Sequence, residues 1–364
     1  MNIKHHFILF LISLIPFYFY LQKPLLVGFD SYYFLGAVCQ NTEFNAPIIS
    51  NYLISALNCN ITLIKTVLWL LMLSCSVTVA HLGELINKNK GWLAGILIYG
   101  SSYFITEFLK FEDDQFAFPI LFLALYFFIK GLQQKNRSSQ ATGVGLALLS
   151  GLIWNGSILY LFAFATSYWI ALLFSIIVCV FVLNILFGSI LPGYPVAENN
   201  PGGIFGLGLI LPHLLLLGYY LKQRILLKLI LFWTIIVFLN AKFLLHLLPL
   251  LAISLMDYLS NSSKYVRLLV LFLVFGLILH TSIGISDLKP NEKHWEAIEI
   301  AQEYSNLTGK PLMNEFSWGY WMKFKGIKSS SKGGFKQQDF NGSIVLSFNS
   351  IKECKNISEW VYEC

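Results

Sequence analysis

Three short stretches place carboxylates at points where apolar segments of the chain end: Gly28-Phe29-Asp30-Ser31-Tyr32-Tyr33, Phe111-Glu112-Asp113-Asp114-Gln115, and Pro195-Val196-Ala197-Glu198-Asn199-Asn200-Pro201. Glu112 and Asp114 stand two apart in a turn and can bring two oxygens to one point, and Asp30 completes a set of three. Oxygen ligands of this kind suit a hard divalent cation, Mg2+ or Mn2+. Such a cation neutralises charge building on a departing phosphate, while a separate carboxylate orients or deprotonates an acceptor. Sugar transfer from a polyprenyl phosphate or diphosphate uses all of these parts, with the donor's lipid in a groove among helices and the acceptor arriving from water. A single carboxylate at a membrane rim needs no such role, since it can cap a helix N-terminus in solvent. The combination carries the argument.

The elements that must position these residues are membrane helices. Hydrophobic residues make up 56% of the 364 positions and charged residues 12%, a composition that would leave a soluble domain with too much exposed apolar surface. About eleven segments have the length and character of spans, near 5–22, 61–86, 91–109, 115–132, 141–155, 157–169, 170–190, 203–221, 225–240, 242–259 and 265–284. The first, Phe7 to Tyr20, reads as a retained helix and not as a signal peptide, because Leu21, Gln22, Lys23 and Pro24 offer no small-residue cleavage site.

Basic residues fall in alternate loops: Lys4, then Lys88 and Lys90, Lys130, Lys135 and Arg137, Lys222 and Arg224, Lys264 and Arg267. These mark the cytosolic side. The acidic stretches lie in the opposite set, with Lys23, Lys110 and Lys242 as minor exceptions. The expected placement is a multi-pass cell-membrane protein with a cytosolic N-terminus and an extracytosolic tail. The net charge of +6 then reports topology beside lipid headgroups and gives no argument for nucleic acid.

The expected fold is an all-α polytopic domain over residues 1–284, followed at 285–364 by a small mixed α/β extracytosolic domain. In that tail His294 to Tyr304 has helical spacing, and Gly342 to Phe348 reads as a strand. Cys39, Cys59, Cys354 and Cys364 share the outward side. Two bridges are allowed there, Cys39 with Cys59 and Cys354 with Cys364, in an oxidising compartment.

These residues resemble the motifs of the catalytic subunit of oligosaccharyltransferase, a member of the GT-C superfamily of polyprenyl-linked glycosyltransferases. Gly28 to Tyr33 is similar to that family's first acidic motif. Glu112-Asp113-Asp114 resembles its acidic-x-acidic element, Trp154-Asn155-Gly156-Ser157 its Trp-Gly-Gly turn, and Val196 to Pro201 its external-loop glutamate motif. The resemblance covers roughly residues 1–260. It implies that Asp30, Glu112 and Asp114 hold the Mn2+ or Mg2+ ion, that Asp30 and Glu198 are catalytic, and that Glu198 holds the acceptor asparagine. It implies a polyprenyl (dolichyl) phosphate- or diphosphate-linked glycan as donor, a polypeptide as acceptor, and contact with membrane lipid.

Departures accompany the likeness. The family has thirteen spans. Lys242 stands where an arginine facing the donor phosphate is expected, keeping a charge without the bidentate fork. Trp318 and Tyr320, within Asn314 to Trp321, resemble the end of an acceptor-binding Trp-Trp-Asp element, with Ser317 in place of the aspartate. This leaves open a GT-C enzyme with a non-protein or non-sequon acceptor. From another class, a lipid-linked-glycan flippase without catalysis would place its polar residues near the bilayer midplane.

His246 and His213 lie inside apolar segments, where a neutral histidine bonded to a neighbouring helix is the ordinary reading. No P-loop, dinucleotide fingerprint, zinc spacing or nucleophile elbow is present. Sequons at Asn60, Asn306, Asn341 and Asn356 fall on the outward side, where they would accept glycans.

Overall fold

A computed structural model describes residues 2–28, 30–40, 48–57, 59–166, 224–239, 243–327, 340, 342–348, 350–351 and 354–364. Its helices are α1 (Ile3–Gln22), α2 (Asp30–Gln40), α3 (Ile48–Ser55), α4 (Ile61–Ile86), α5 (Gly91–Leu97), α6 (Ser102–Phe108), α7 (Asp114–Gln133), α8 (Arg137–Ser150), α9 (Leu159–Ala165), α10 (Arg224–Leu239), α11 (Leu244–Ser260), α12 (Lys264–Ile283), α13 (Glu292–Thr308) and α14 (Phe316–Phe324). Short polar side chains start many of them. Asn2 caps Lys4 N–H at 3.1 Å, Asn60 caps Leu63 N–H at 3.0 Å, Asn136 caps Ser138 N–H at 3.0 Å and Ser263 caps Val266 N–H at 3.3 Å. Each satisfies a backbone donor that the first helical turn leaves orphaned.

Among the described residues four helical stretches are long and apolar enough to cross a bilayer: α1, α4, α7 and the stretch that begins with α12. Shorter apolar helices accompany them at residues 91–100, 155–165 and 226–237 and in α11. The protein is thus helical and of membrane type, but the expected count of about eleven spans is not reached in what is described. The segments expected at 170–190 and 203–221 lie outside it. The expected span 91–109 is broken at Ser101, whose hydroxyl starts α6 by accepting from Phe104 N–H at 3.4 Å. The segment expected at 141–155 instead runs as α8 from the Asn136 cap to Ser150.

The helices pack as a bundle in which α4 touches α1, α5, α7 and α11, and α7 lies along α8. α1 and α12 also pack together, and both keep large apolar side chains on their outer faces, among them Phe7, Tyr18, Phe272 and Ile283. Bilayer hydrocarbon covers such faces without cost.

After α12 a short 3-10 turn at Gly284–Asp287 leads into the tail. There a four-stranded sheet has the order β1 (Leu312–Asn314), β2 (Ile344–Leu346), β4 (Val361–Glu363), β3 (Lys355–Ser358). β1 and β2 are parallel, with α14 between them in sequence, while β2–β4 and β4–β3 are antiparallel. The strand expected at 342–348 is therefore present, in shorter form. Both allowed disulfides form, Cys39–Cys59 and Cys354–Cys364.

The core of the tail is aromatic. The His294 ring stacks on Trp360 with centroids 4.4 Å apart, and Trp318 stacks on Phe348 at 4.6 Å. His294 also closes a capping box with Asn291 at the start of α13. The tail sits on α2: Tyr32 meets Trp295 at 5.4 Å and Phe324 at 5.3 Å.

Candidate active site

The first two acidic stretches are joined by backbone. Val27 pairs with Lys110 in a parallel bridge. Ser31 Oγ donates to the Val27 carbonyl and accepts from Phe111 N–H at 2.7 Å. One hydroxyl therefore holds the turn that ends in Asp30 against the turn that carries Glu112 and Asp114. Gly28 makes the approach possible. Its φ of +92° lies in a region that L side chains rarely adopt, and a Cβ there would meet Lys110 Cγ at 3.2 Å. Its N–H donates to the Lys289 carbonyl at 2.9 Å, which ties the same turn to the start of the tail.

Asp30 opens α2 and is half-buried, while Glu112 and Asp114 are buried. Asp114 begins α7, where the helix N-terminus favours an anion. Gln115 Nε2 donates to Asp114 Oδ1 at 2.9 Å, and Gln115 Oε1 is a buried acceptor with no hydrogen-bond partner. Glu107, Asp114 and Glu112 all lie within electrostatic reach of the Tyr103 phenol. Glu107 also accepts from Lys110 Nζ at 2.6 Å in a buried ion pair.

The donor set of Asp30, Glu112 and Asp114 is all oxygen, and the orphaned Gln115 Oε1 adds a neutral one, which fits a hard divalent cation. Among the described residues no group of three His, Cys, Asp or Glu side chains is arranged to hold a metal ion. Closure around a cation would need the three carboxylates to be drawn together, with Gln115 or water supplying further oxygens.

Beneath the acidic rim lies an aromatic floor. Phe118, one turn below Asp114, meets His246 at 5.1 Å and Trp154 at 5.9 Å. Trp154 and Trp233 both stack on the His246 ring, at 5.5 and 4.8 Å. The Tyr160 hydroxyl bonds His246 Nδ1 at 3.1 Å, so this histidine is bonded to a neighbouring helix, the ordinary role expected for it. In the Trp154-Asn155-Gly156 turn the indole folds over Gly156, where a Cβ would fall 2.2 Å from the ring. The turn therefore requires glycine.

Buried lysines brace the rim. Lys23 Nζ donates to the carbonyls of Ser286, Leu288 and Pro290 at 3.2, 2.7 and 2.8 Å. Burial, and then the neighbouring Lys65 ammonium, pull the Lys23 pKa down to about 8. Lys65 Nζ donates to the carbonyls of Tyr20, at 3.0 Å, and Lys23. The Tyr20 hydroxyl donates to the Leu109 carbonyl at 2.6 Å.

Of the residues expected from sequence, the fold thus brings the stretches of Asp30, Glu112 and Asp114 to one place. Tyr320 is near them through Tyr33, at 5.1 Å. Trp318 is fully enclosed in the aromatic core of the tail, so its ring is not presented to an acceptor as expected. The reason is the box of His294, Phe348, Trp360 and Trp321 that surrounds it. Glu198 and Lys242 lie outside the described residues. Sequence reasoning gave no role to Ser31, Gln115, Lys23 and the Glu107–Lys110 pair. The available signal was that Lys23 and Lys110 break the charge asymmetry of the loops. Compared with protein-family models, with curated proteins and with solved structures, the chain gives no match in any of the three.

Proposed function

We propose that the chain is a membrane glycosyltransferase that moves a glycan from a polyprenyl phosphate or diphosphate to an acceptor asparagine. The observation that supports this reading best is the Ser31 clamp with the Val27–Lys110 bridge, which fastens two acidic turns together at one end of an apolar helical bundle. A transporter has no need to bring carboxylates of two loops together at the rim, since its polar residues belong near the midplane. Two disulfides at the same end fit an oxidising, extracytosolic compartment for the site.

In this reading Asp30, Glu112 and Asp114, with Gln115, hold a divalent cation, Mn2+ or Mg2+. A bound cation would neutralise charge on the departing phosphate. Asp30 and Glu198 act on the acceptor: the sugar C1–O bond to phosphate breaks, a C1–N bond forms, and a carboxylate takes the amide proton. Lys242 attracts the donor phosphate as a point charge. Tyr320, beside Tyr33, flanks the acceptor. A second reading, a GT-C transferase with another acceptor, draws support from the enclosure of Trp318 and from Ser317 where an acidic residue is expected.

The test is transfer by purified protein, with Mn2+, from a host lipid extract to a fluorescent Asn-x-Thr peptide. A mobility shift that disappears with chelator and in Asp114→Ala supports the first reading. A folded protein with donor present and no shift removes the asparagine acceptor, and a second assay with lipid-linked sugar acceptors then decides the alternative.

A further inference from the structure

A cavity lies at the same end of the bundle as the acidic rim and shares with it only the bracing Lys23. It measures about 580 Å³ and is lined by the last turn of α1, the turn after α12 and the first turn of α13. That volume is in the range of small-molecule sites. Its lining combines apolar side chains, Phe19 and Ile283 among them, with the charged Lys23, Asp287, Glu292 and Lys293.

Two features narrow the ligand. Phe19 and the exposed Ile283 belong to α1 and α12, the helices whose outer faces carry exposed apolar side chains, so in a bilayer the cavity borders the lipid. Its charges balance, two ammonium groups against two carboxylates. They are not equivalent: the Lys23 ammonium gives its three donors to three backbone carbonyls and acts on Asp287 and Glu292 only through its charge. Among the described residues Lys293 makes no ion pair and is available to a ligand anion, while Glu292 and Asp287, which accepts only from Ser286 Oγ at 3.4 Å, are available to a ligand cation that donates hydrogen bonds.

We propose that this cavity binds the headgroup of an amine-bearing zwitterionic phospholipid, the phosphate against Lys293 and the primary ammonium between Asp287 and Glu292, with the acyl chains along Phe19 and Ile283. A primary ammonium has three donors for two carboxylates. A quaternary choline has none, and an anionic headgroup brings no ammonium to the two carboxylates. The site stands apart from the proposed transfer reaction and does not depend on it.

The experiment is native mass spectrometry of the full-length, delipidated protein in neutral detergent, offered equal amounts of dioleoyl phosphatidylethanolamine, phosphatidylcholine and phosphatidylglycerol. The expected result is an ethanolamine-lipid adduct enriched about tenfold over the glycerol lipid, the factor that one charge-assisted hydrogen bond supplies. In Asp287→Asn/Glu292→Gln the three lipids should bind within about twofold of one another. The two single variants are read in the same way if the double variant does not fold. Equal adducts in the wild type, or an ethanolamine preference that survives loss of both carboxylates, overturns the proposal. Displacement of the lipid by soluble phosphoethanolamine at equal concentration would also overturn it, because the ligand would then be a free headgroup.

Discussion

Ser31→Ala isolates the clamp that sets one acidic turn against the other. The wild-type hydroxyl is fully buried and makes two bonds, one given to the Val27 carbonyl and one taken from Phe111 N–H. Alanine fits the helix that Ser31 occupies, so no backbone penalty enters. What remains is a buried Phe111 N–H without its acceptor, costing about 1–3 kcal/mol, and a lost bond to Val27 worth about 1 kcal/mol. The expected total is about 2–4 kcal/mol. For a chain of this size it should appear as a fall in Tm of roughly 3–5 °C, read by tryptophan fluorescence in detergent. Ser254→Ala is the control: its hydroxyl is also buried but only donates to the Leu250 carbonyl of its own helix, at 2.7 Å. That change should cost less than about 1 kcal/mol. The reasoning fails if Ser31→Ala melts within about 1 °C of wild type, or if Ser254→Ala falls as far. In the transfer assay Ser31→Ala should lose activity at temperatures where it is still folded, because the turn that ends in Asp30 loses its register against Glu112.

Lys23→Ala removes the donor to three carbonyls in residues 286–290. Limited proteolysis should then cut between residues 284 and 291 faster than in wild type, and an unchanged cleavage pattern would deny Lys23 its bracing role. His294 is buried, and burial, followed by the charges of Lys289 and Lys23, holds its pKa down to about 4 against an ordinary 6.5. Between these values the unfolded chain binds the extra proton, so the stability of the tail should fall as pH drops from about 6.5 to about 4. Trp360 fluorescence should report this, and His294→Gln should flatten the dependence. Cys354→Ser opens a loop of sequence separation 10 and should destabilise the tail by about 3 kcal/mol, measured as earlier exposure of the Trp318 core to quencher, with α1 and α4 unaffected.

The parts of the site that are local in sequence were legible: Glu112 and Asp114 in one turn, Asp30 after an apolar segment, and Gly156 behind Trp154. The cysteine pairs were also open to reading, since the charge pattern sorted them onto one side. The joining of the two acidic turns was not, because it rests on a hydroxyl and an amide 80 residues apart and on a single bridge with no periodicity. Lys23 and Lys110 looked like noise in a charge count. Hydropathy reports only average apolar character, so it counted 91–109 as one span and could not register the cap at Ser101 that divides it. Trp318 was singled out by its neighbours in sequence, whereas its environment is set by His294 and Trp360, which come from elsewhere in the tail.

The Lys23 contacts also bear on the order in which the protein can be made. The lysine leaves the ribosome well before the carbonyls that receive its ammonium, which begin 263 residues later. At roughly 5–20 residues per second this interval is on the order of tens of seconds. Throughout it the first helix lacks the tail, and for most of it α12, and the Gly28 turn has no Lys289 carbonyl to bond. Completion of the rim is therefore a late event in biosynthesis. A nascent chain stopped before the tail could join Asp30's turn to that of Glu112 and Asp114 through Ser31 and would still lack the Lys23 and Gly28 contacts that fix the rim to the tail.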